Sequence, residues 1–337
     1  MGAFVLHPQQ YRWAWLLISV GVLGICAAAS VLIGSRDVGL ADAFAALGGS
    51  LEGFDQGVIA KRIPRTLLAL SAGAALSISG VVMQGVTRNP LADPGILGVN
   101  MGASLAVVVG IAYFGLTLAA HYVWLAIAGA ALTAVFVYAI GSLGSGGATP
   151  LKLALAGTAT SAALVSFITA VVLPRNDIAD NVRSWQIGGV GGATFESLIQ
   201  VGPLLLAGLV ICLLSARKLN TLALGDEVAT GLGERVAITR AFASLGAVVL
   251  CGASTAVCGP IGFVGLVVPH ACRLLVGLDH RWLLPLSGIV GAVLLTVADI
   301  LGRIIARPAE LDVAIVTAFI GAPVFISIVR RQRSRAL

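Results

Sequence analysis

Few side chains in this sequence are of the kind that carry chemistry, and their spacing is as informative as their scarcity. The four histidines, His7, His121, His270 and His280, are scattered, and none stands at metal-ligand spacing from a cysteine. The five cysteines, Cys26, Cys212, Cys251, Cys258 and Cys272, fall in apolar runs with no Cys-x-x-Cys pair. They read as small packing residues. None of Lys61, Lys152 and Lys218 follows a glycine, so there is no Gly-rich loop ending in lysine to cradle a nucleotide phosphate. His-Glu-x-x-His and Gly-x-Ser-x-Gly are also missing. Carboxylates do not pair in the middle of any apolar run. The ionisable candidates, Asp299 and His270 with Arg273, fall near the ends of such runs. These residues predict no catalytic set and no metal site, and they place any energy source in another subunit.

The elements that must position these groups are lipid-embedded helices. Of 337 residues, 58% are hydrophobic and 11% charged, and the mean hydropathy is +1.01. A water-soluble domain carries about 25% charged residues, so this chain could not coat a globule of its own size. The net charge of +6 comes without a basic tract interleaved with aromatics. That argues against nucleic acid as a partner and for Lys and Arg gathered on cytoplasmic loops. A bilayer core takes about 20 apolar residues per helix. Charge-free runs cover 13–35, 66–87, 94–151, 153–174, 197–216, 241–272, 282–298 and 313–329. The run 94–151 has room for two helices with a turn near His121 and Tyr122. The run 241–272 is broken by Cys258-Gly259-Pro260-Ile261-Gly262. The first run is too long for a signal-peptide core and is expected to span. The fold expected is an all-α integral membrane protein of about ten transmembrane helices, with residues 1–337 forming a single multi-pass domain.

An even number of spans places both termini on one side. The larger share of Lys and Arg, ending in Arg330, Arg331, Arg333 and Arg335, then lies with them, which predicts that both termini are cytoplasmic. Two loops stand out. Residues 217–240 mix Lys218, Asp226, Glu227, Glu234 and Arg235 with Leu222, Leu224, Val228 and Leu232 on the inner side, a pattern for short amphipathic helices at the membrane surface or against a partner. Residues 174–194 are polar at first and then glycine-rich, and predict a short surface or re-entrant helix followed by a hinge on the outer side.

Several segments taken together carry a resemblance. They are Arg62-Ile63-Pro64-Arg65-Thr66, Gly73-Ala74-Ala75-Leu76, Ser79-Gly80-Val81-Val82-Met83-Gln84 and Asn89-Pro90-Leu91-Ala92-Asp93-Pro94-Gly95-Ile96-Leu97-Gly98, then Trp185-Gln186-Ile187-Gly188-Gly189 and Leu222-Ala223-Leu224-Gly225. Gly259-Pro260-Ile261-Gly262-Phe263-Val264-Gly265-Leu266-Val267-Val268-Pro269-His270, Ala298-Asp299-Ile300 and Gly321-Ala322-Pro323-Val324-Phe325 complete the set. The chain resembles the FecCD family, the permeases of iron-siderophore, haem and vitamin B12 ABC importers, from about residue 55 to 330. The resemblance implies a type II ABC importer permease fold and two permease subunits, identical or paralogous. It also implies two cytoplasmic ATPase subunits, which bind the ATP and Mg that this chain does not, and an extracytoplasmic substrate-binding protein. The location implied is the cytoplasmic membrane of a prokaryote, and the cargo a ferric siderophore moved by ATP-driven alternating access. Haem or cobalamin cargo is the alternative within the class; a stand-alone secondary transporter is the alternative outside it.

Site residues carried over by motif are expectations of the same kind. Leu222, Leu224, Gly225, Asp226, Glu227, Ala229, Leu232 and Gly233 would couple to the ATPase, with Gly225 allowing the turn, Asp226 and Glu227 at a helix start, and Ala229 and Leu232 inserting into a cleft. Arg62, Arg65 and Arg303 would dock the binding protein's carboxylates, with Arg62 and Arg65 just before the second helix. Asn89 and Leu91, facing Thr149 and Pro150, would form a cytoplasmic gate. Met83 and Gln84 would face the pathway or pack between helices. Asp299 is expected to pair with Arg303 one turn away.

Overall fold

The computed structural model describes residues 11–35, 53–116, 119–144 and 150–333. Twelve α-helices follow in order: α1 (Arg12–Leu32), α2 (Phe54–Thr87), α3 (Val99–Phe114), α4 (Ala119–Gly141), α5 (Pro150–Val172), α6 (Asn176–Ile187), α7 (Phe195–Leu222), α8 (Asp226–Gly231), α9 (Val236–Cys258), α10 (Val264–Val276), α11 (His280–Ile305) and α12 (Val313–Arg333). Seven are long and apolar enough to span a bilayer, and three shorter apolar stretches (Val99–Phe114, Val264–Val276, Val313–Ser327) complete the ten expected. The other two, α6 and α8, fall in the two polar loops.

Helix ends follow local chemistry where it is strong. Thr194 and Ser197 cap α7 reciprocally, each hydroxyl accepting the other's backbone N–H at 3.1–3.2 Å. Gly225, at φ 110°, makes the turn between α7 and α8, as the sequence predicts. Gly259, at φ 69°, ends α9 at the predicted break. The sequence misplaces two ends. The turn between α3 and α4 comes at Gly115, φ 60°, so His121 and Tyr122 already belong to α4. Moreover, α2 begins at Phe54, so Lys61, Arg62 and Arg65 lie within it and Pro64 is internal. A charge-free window stops at the first arginine, whereas the helix continues because Arg62 and Arg65 find partners.

The central mast is α2, which packs against α1, α7, α9, α10 and α11. Leu68, Ala72, Val81, Val82 and Met83 along it are buried. Close approach relies on small residues. A Cβ on Gly73 would collide with the backbone of Gly291 in α11, and one on Gly80 with the backbone of Gly265 in α10. Interhelical hydrogen bonds supplement this packing: Ser79 Oγ donates to Ala247 O at 2.7 Å and Gln84 Nε2 to Gly265 O at 3.2 Å. The 259–263 break is covered by protein. Gly189 N–H donates to Cys258 O at 2.8 Å, Trp185 Nε1 to Ala256 O at 3.3 Å, and Ala314 N–H to Gly188 O at 3.2 Å. The non-helical backbone thus meets α6, the glycine loop and α12.

Contacts fix the two faces. The start of α1 touches the end of α10, since Arg12 Nε donates to Val276 O at 3.2 Å. The end of α1 meets α2 near Arg62 and α11 near Arg303. As α12 starts beside Gly188 on that second face, it runs back toward the first. Both ends of the helical bundle therefore lie on one face.

The glycine contacts generate a direct test. Gly80→Leu should lower stability by about 1–3 kcal/mol through overpacking, read as a drop in the unfolding temperature in detergent. Gly21→Leu, with nothing within 4 Å of its Cβ position, should leave that temperature unchanged.

Candidate functional site

The outer cluster sits where α1 ends, α2 begins and α11 ends. Arg65 Nε and Nη2 both donate to Asp299 Oδ1, at 3.0 and 2.8 Å, and Nη1 donates to Glu310 Oε2 at 2.6 Å. Arg303 Nη2 lies 2.9 Å from Asp299 Oδ2, the predicted one-turn pair; this is a charge contact without hydrogen-bond geometry. Arg303 is 1% exposed, and its Nη1 donates to Ser30 O at 2.9 Å and Ile33 O at 3.0 Å. Arg62 Nη1 donates to Val31 O and Leu32 O at 3.2 and 2.9 Å. Two guanidiniums thus hold the last carbonyls of α1, which a helix leaves unpaired and which favour cations. Of the three docking candidates, Arg62 and Arg303 are buried on intrachain partners, while Arg65 lies nearer the surface.

Glu310 and its partner Ser35, 2.9 Å apart, were not singled out by the sequence. Partial burial pushes the Glu310 carboxyl up, but hydrogen bonding and charge from Arg65, with Ser35 adding to them, outweigh this and hold it below its ordinary range.

The inner cluster gathers α7, α8, α9 and the ends of α1, α2, α10 and α11. Asp226 Oδ1 lies 2.9 Å from both Arg88, just past α2, and Arg240 in α9. Asn220 Nδ2 donates to Asp279 Oδ1 at 2.7 Å, and the His280 N–H donates to Asn220 Oδ1 at 2.9 Å. Arg12 approaches Asp279 at 3.7 Å, and Trp13 packs edge-on against Trp282 with centroids 4.7 Å apart. Partial burial raises the Asp279 carboxyl, but its bonds to Asn220 and the Arg281 N–H, with two nearby arginines, bring it net below its ordinary range.

Within the coupling candidates the structure separates two sets. Leu222 and Ala229 are fully buried, at 0% exposure, packing α8 onto this chain. Ala229 therefore does not insert elsewhere, contrary to expectation. Leu224 and Leu232 are 61% and 66% exposed, and Val228 joins them. Gly225 and Gly233 carry positive φ at either end of α8, and Asp226 and Glu227 occupy its first turn. Among the gate candidates, the Asn89 side chain accepts the Leu91 N–H at 3.0 Å, stabilising the turn after α2. Pro150 opens α5, while Thr149 lies outside the described residues. Met83 and Gln84 are buried between helices of this chain, Gln84 also accepting from Arg273 in α10. Among the described residues, no three His, Cys, Asp or Glu side chains come together as a metal site.

Ten apolar helices with ion pairs gathered at the two ends of the bundle define a multi-pass membrane protein. The FecCD transport family pattern matches residues 22–331, and the chain belongs to that family. It is 45% identical over 313 residues to the ferric enterobactin transport system permease protein FepD of Escherichia coli K12, covering 92% of this chain and 93% of FepD. It is 41% identical over 330 residues to the probable siderophore transport system permease protein YfiZ of Bacillus subtilis 168, covering 97% and 98%. A solved structure of a metal-chelate type ABC transporter in an inward-facing conformation superposes with a TM-score of 0.81 at 29% identity, covering 95% of this chain and 99% of that one. The type II importer permease fold expected from the sequence is the one observed.

Removing the shared carboxylate should cost far more than removing the peripheral one. Asp299→Asn leaves buried Arg303 without its anion and Arg65 with Glu310 alone, and should destabilise by about 3–5 kcal/mol, whereas Glu310→Gln, at a part-exposed site, should cost about 0–1 kcal/mol. Because the Glu310 pKa is depressed, its contribution is present above the unfolded carboxyl pKa of about 4.3 and is lost as pH falls through the lower folded value. Unfolding temperatures of both variants between neutral and acid pH check this.

Proposed function

We propose that this chain is the permease subunit of a binding-protein-dependent ABC importer that moves a ferric siderophore across the cytoplasmic membrane of a prokaryote. Family membership over nearly the whole chain carries the reading, with relatives named for ferric enterobactin and siderophore transport supporting the cargo. The α8 face is then cytoplasmic, and both termini lie on it. A second permease, identical or paralogous, completes the pathway, two ATPases bind ATP and Mg below it, and a binding protein delivers cargo from the other side.

In this reading α8 receives the ATPase. Its exposed Leu224, Val228 and Leu232 are an apolar patch that water does not favour. Gly225 and Gly233 delimit it, Asp226 and Glu227 place negative charge at its start, and buried Leu222 and Ala229 weld it to the bundle. Displacement of α8 reaches α2 through Asp226–Arg88 and α9 through Asp226–Arg240. The turn bearing Asn89 and Leu91 follows Arg88 directly, so the same movement reaches the proposed gate against Thr149 and Pro150. Met83 and Gln84 contribute by packing rather than by contacting cargo in this conformation. On the outer face, Arg65 offers charge to the binding protein, and Arg62 and Arg303 shape the surface around it by fixing the end of α1.

The test is ATP-driven uptake of ferric siderophore by proteoliposomes holding permease, ATPase and binding protein. A buried leucine contact is worth about 1.5–3 kcal/mol, roughly a tenfold change or more. Leu224→Asp with Leu232→Asp should therefore cut uptake at least about tenfold while leaving the unfolding temperature in place. Unchanged uptake would remove α8 from the coupling path.

A further inference from the structure

An apolar groove of about 430 Å³ runs between α4 and α9 and shares only its charged end, Arg240, with the inner cluster. Leu97, Ala134, Val135 and Val248 line it, together with Tyr138 and Arg240. Val248 lies just over two helical turns beyond Arg240, about 12 Å along the axis. That is close to the depth of one leaflet of a hydrocarbon core about 30 Å thick.

The chemistry of the two ends differs. Arg88 and Arg240 both contact the one carboxylate oxygen Oδ1 of Asp226. The Arg240 Nε–H is shielded from solvent and has no acceptor. Beyond this end the walls are apolar, and Val135 and Leu245 are large exposed hydrophobics on the two flanking helices. An extended peptide in the groove would leave its own backbone N–H and C=O groups unpaired, whereas an acyl chain has none to satisfy.

We propose that this groove is a lipid site: it holds one acyl chain of an anionic phospholipid whose phosphate is recognised by Arg240. The lipid would then share Arg240 with Asp226, and so bear on the ion pair that ties α8 to α9.

The test is native mass spectrometry of the full-length chain in detergent, titrated with phosphatidylglycerol or with phosphatidylcholine of the same acyl chains. One basic residue near a lipid surface changes affinity about fivefold, so phosphatidylglycerol adducts should exceed phosphatidylcholine adducts by about that factor. Arg240→Gln should abolish the preference, Ser244→Phe should block adducts of both lipids, and Arg175→Gln on the far face should change neither. Three results would overturn the proposal. They are equal adducts of the two lipids on the wild type, wild-type adducts on both Arg240→Gln and Ser244→Phe, or efficient disulfide formation between two copies of Leu245→Cys in membranes, which would mean that a second copy covers the groove.

Discussion

A lipid interior offers no hydrogen-bond partner, so backbone N–H and C=O groups in the spans must be answered within the protein or reach a face. That constraint explains why the ion pairs gather at the two ends of the bundle and why the break between α9 and α10 lies under cover. The break between α9 and α10 has its neighbouring carbonyls bonded by Trp185 and Gly189. The last carbonyls of α1 are taken by Arg62 and Arg303. A buried charge network of this kind is costly to assemble, and it is weak evidence for stability as such. What it does provide is geometry, because these guanidiniums bond carbonyls and carboxylates on neighbouring helices.

One helix connects the two faces. Arg62 and Arg65 near the start of α2 hold α1, α11 and Glu310, and Arg88 just past its end holds Asp226 of α8. Between them, α2 is packed tightly enough that glycines meet backbone on two neighbours. A close-packed core transmits displacement rather than absorbing it. In the proposed function, α2 is the stiff element between the α8 face and the outer cluster.

Much of this was legible in the sequence, for physical reasons. Hydropathy is a strong signal because about 20 residues must be apolar to cross, so ten spans and the break at Gly259 could be read directly. Gly225 as the turn before α8 was legible because few other residues adopt its backbone angles. The pair Asp299–Arg303 was legible because one helical turn separates them. The start of α2 was not, because charge windows assume that arginines mark an end, and here Val31, Leu32, Asp299 and Glu310 receive them. Ala229 was misread because α8 is too short to reveal which face is buried. Glu310 and Arg88 escaped notice because their partners lie far away in sequence.

The account turns on which compartment α8 faces, and thiol labelling in intact cells measures that most directly. Thr230→Cys, on exposed α8, should stay unlabelled by a membrane-impermeant maleimide until the cells are permeabilised, while Gly192→Cys, in the glycine loop after α6, should label at once. Labelling of position 230 from outside, with position 192 protected, would contradict the account.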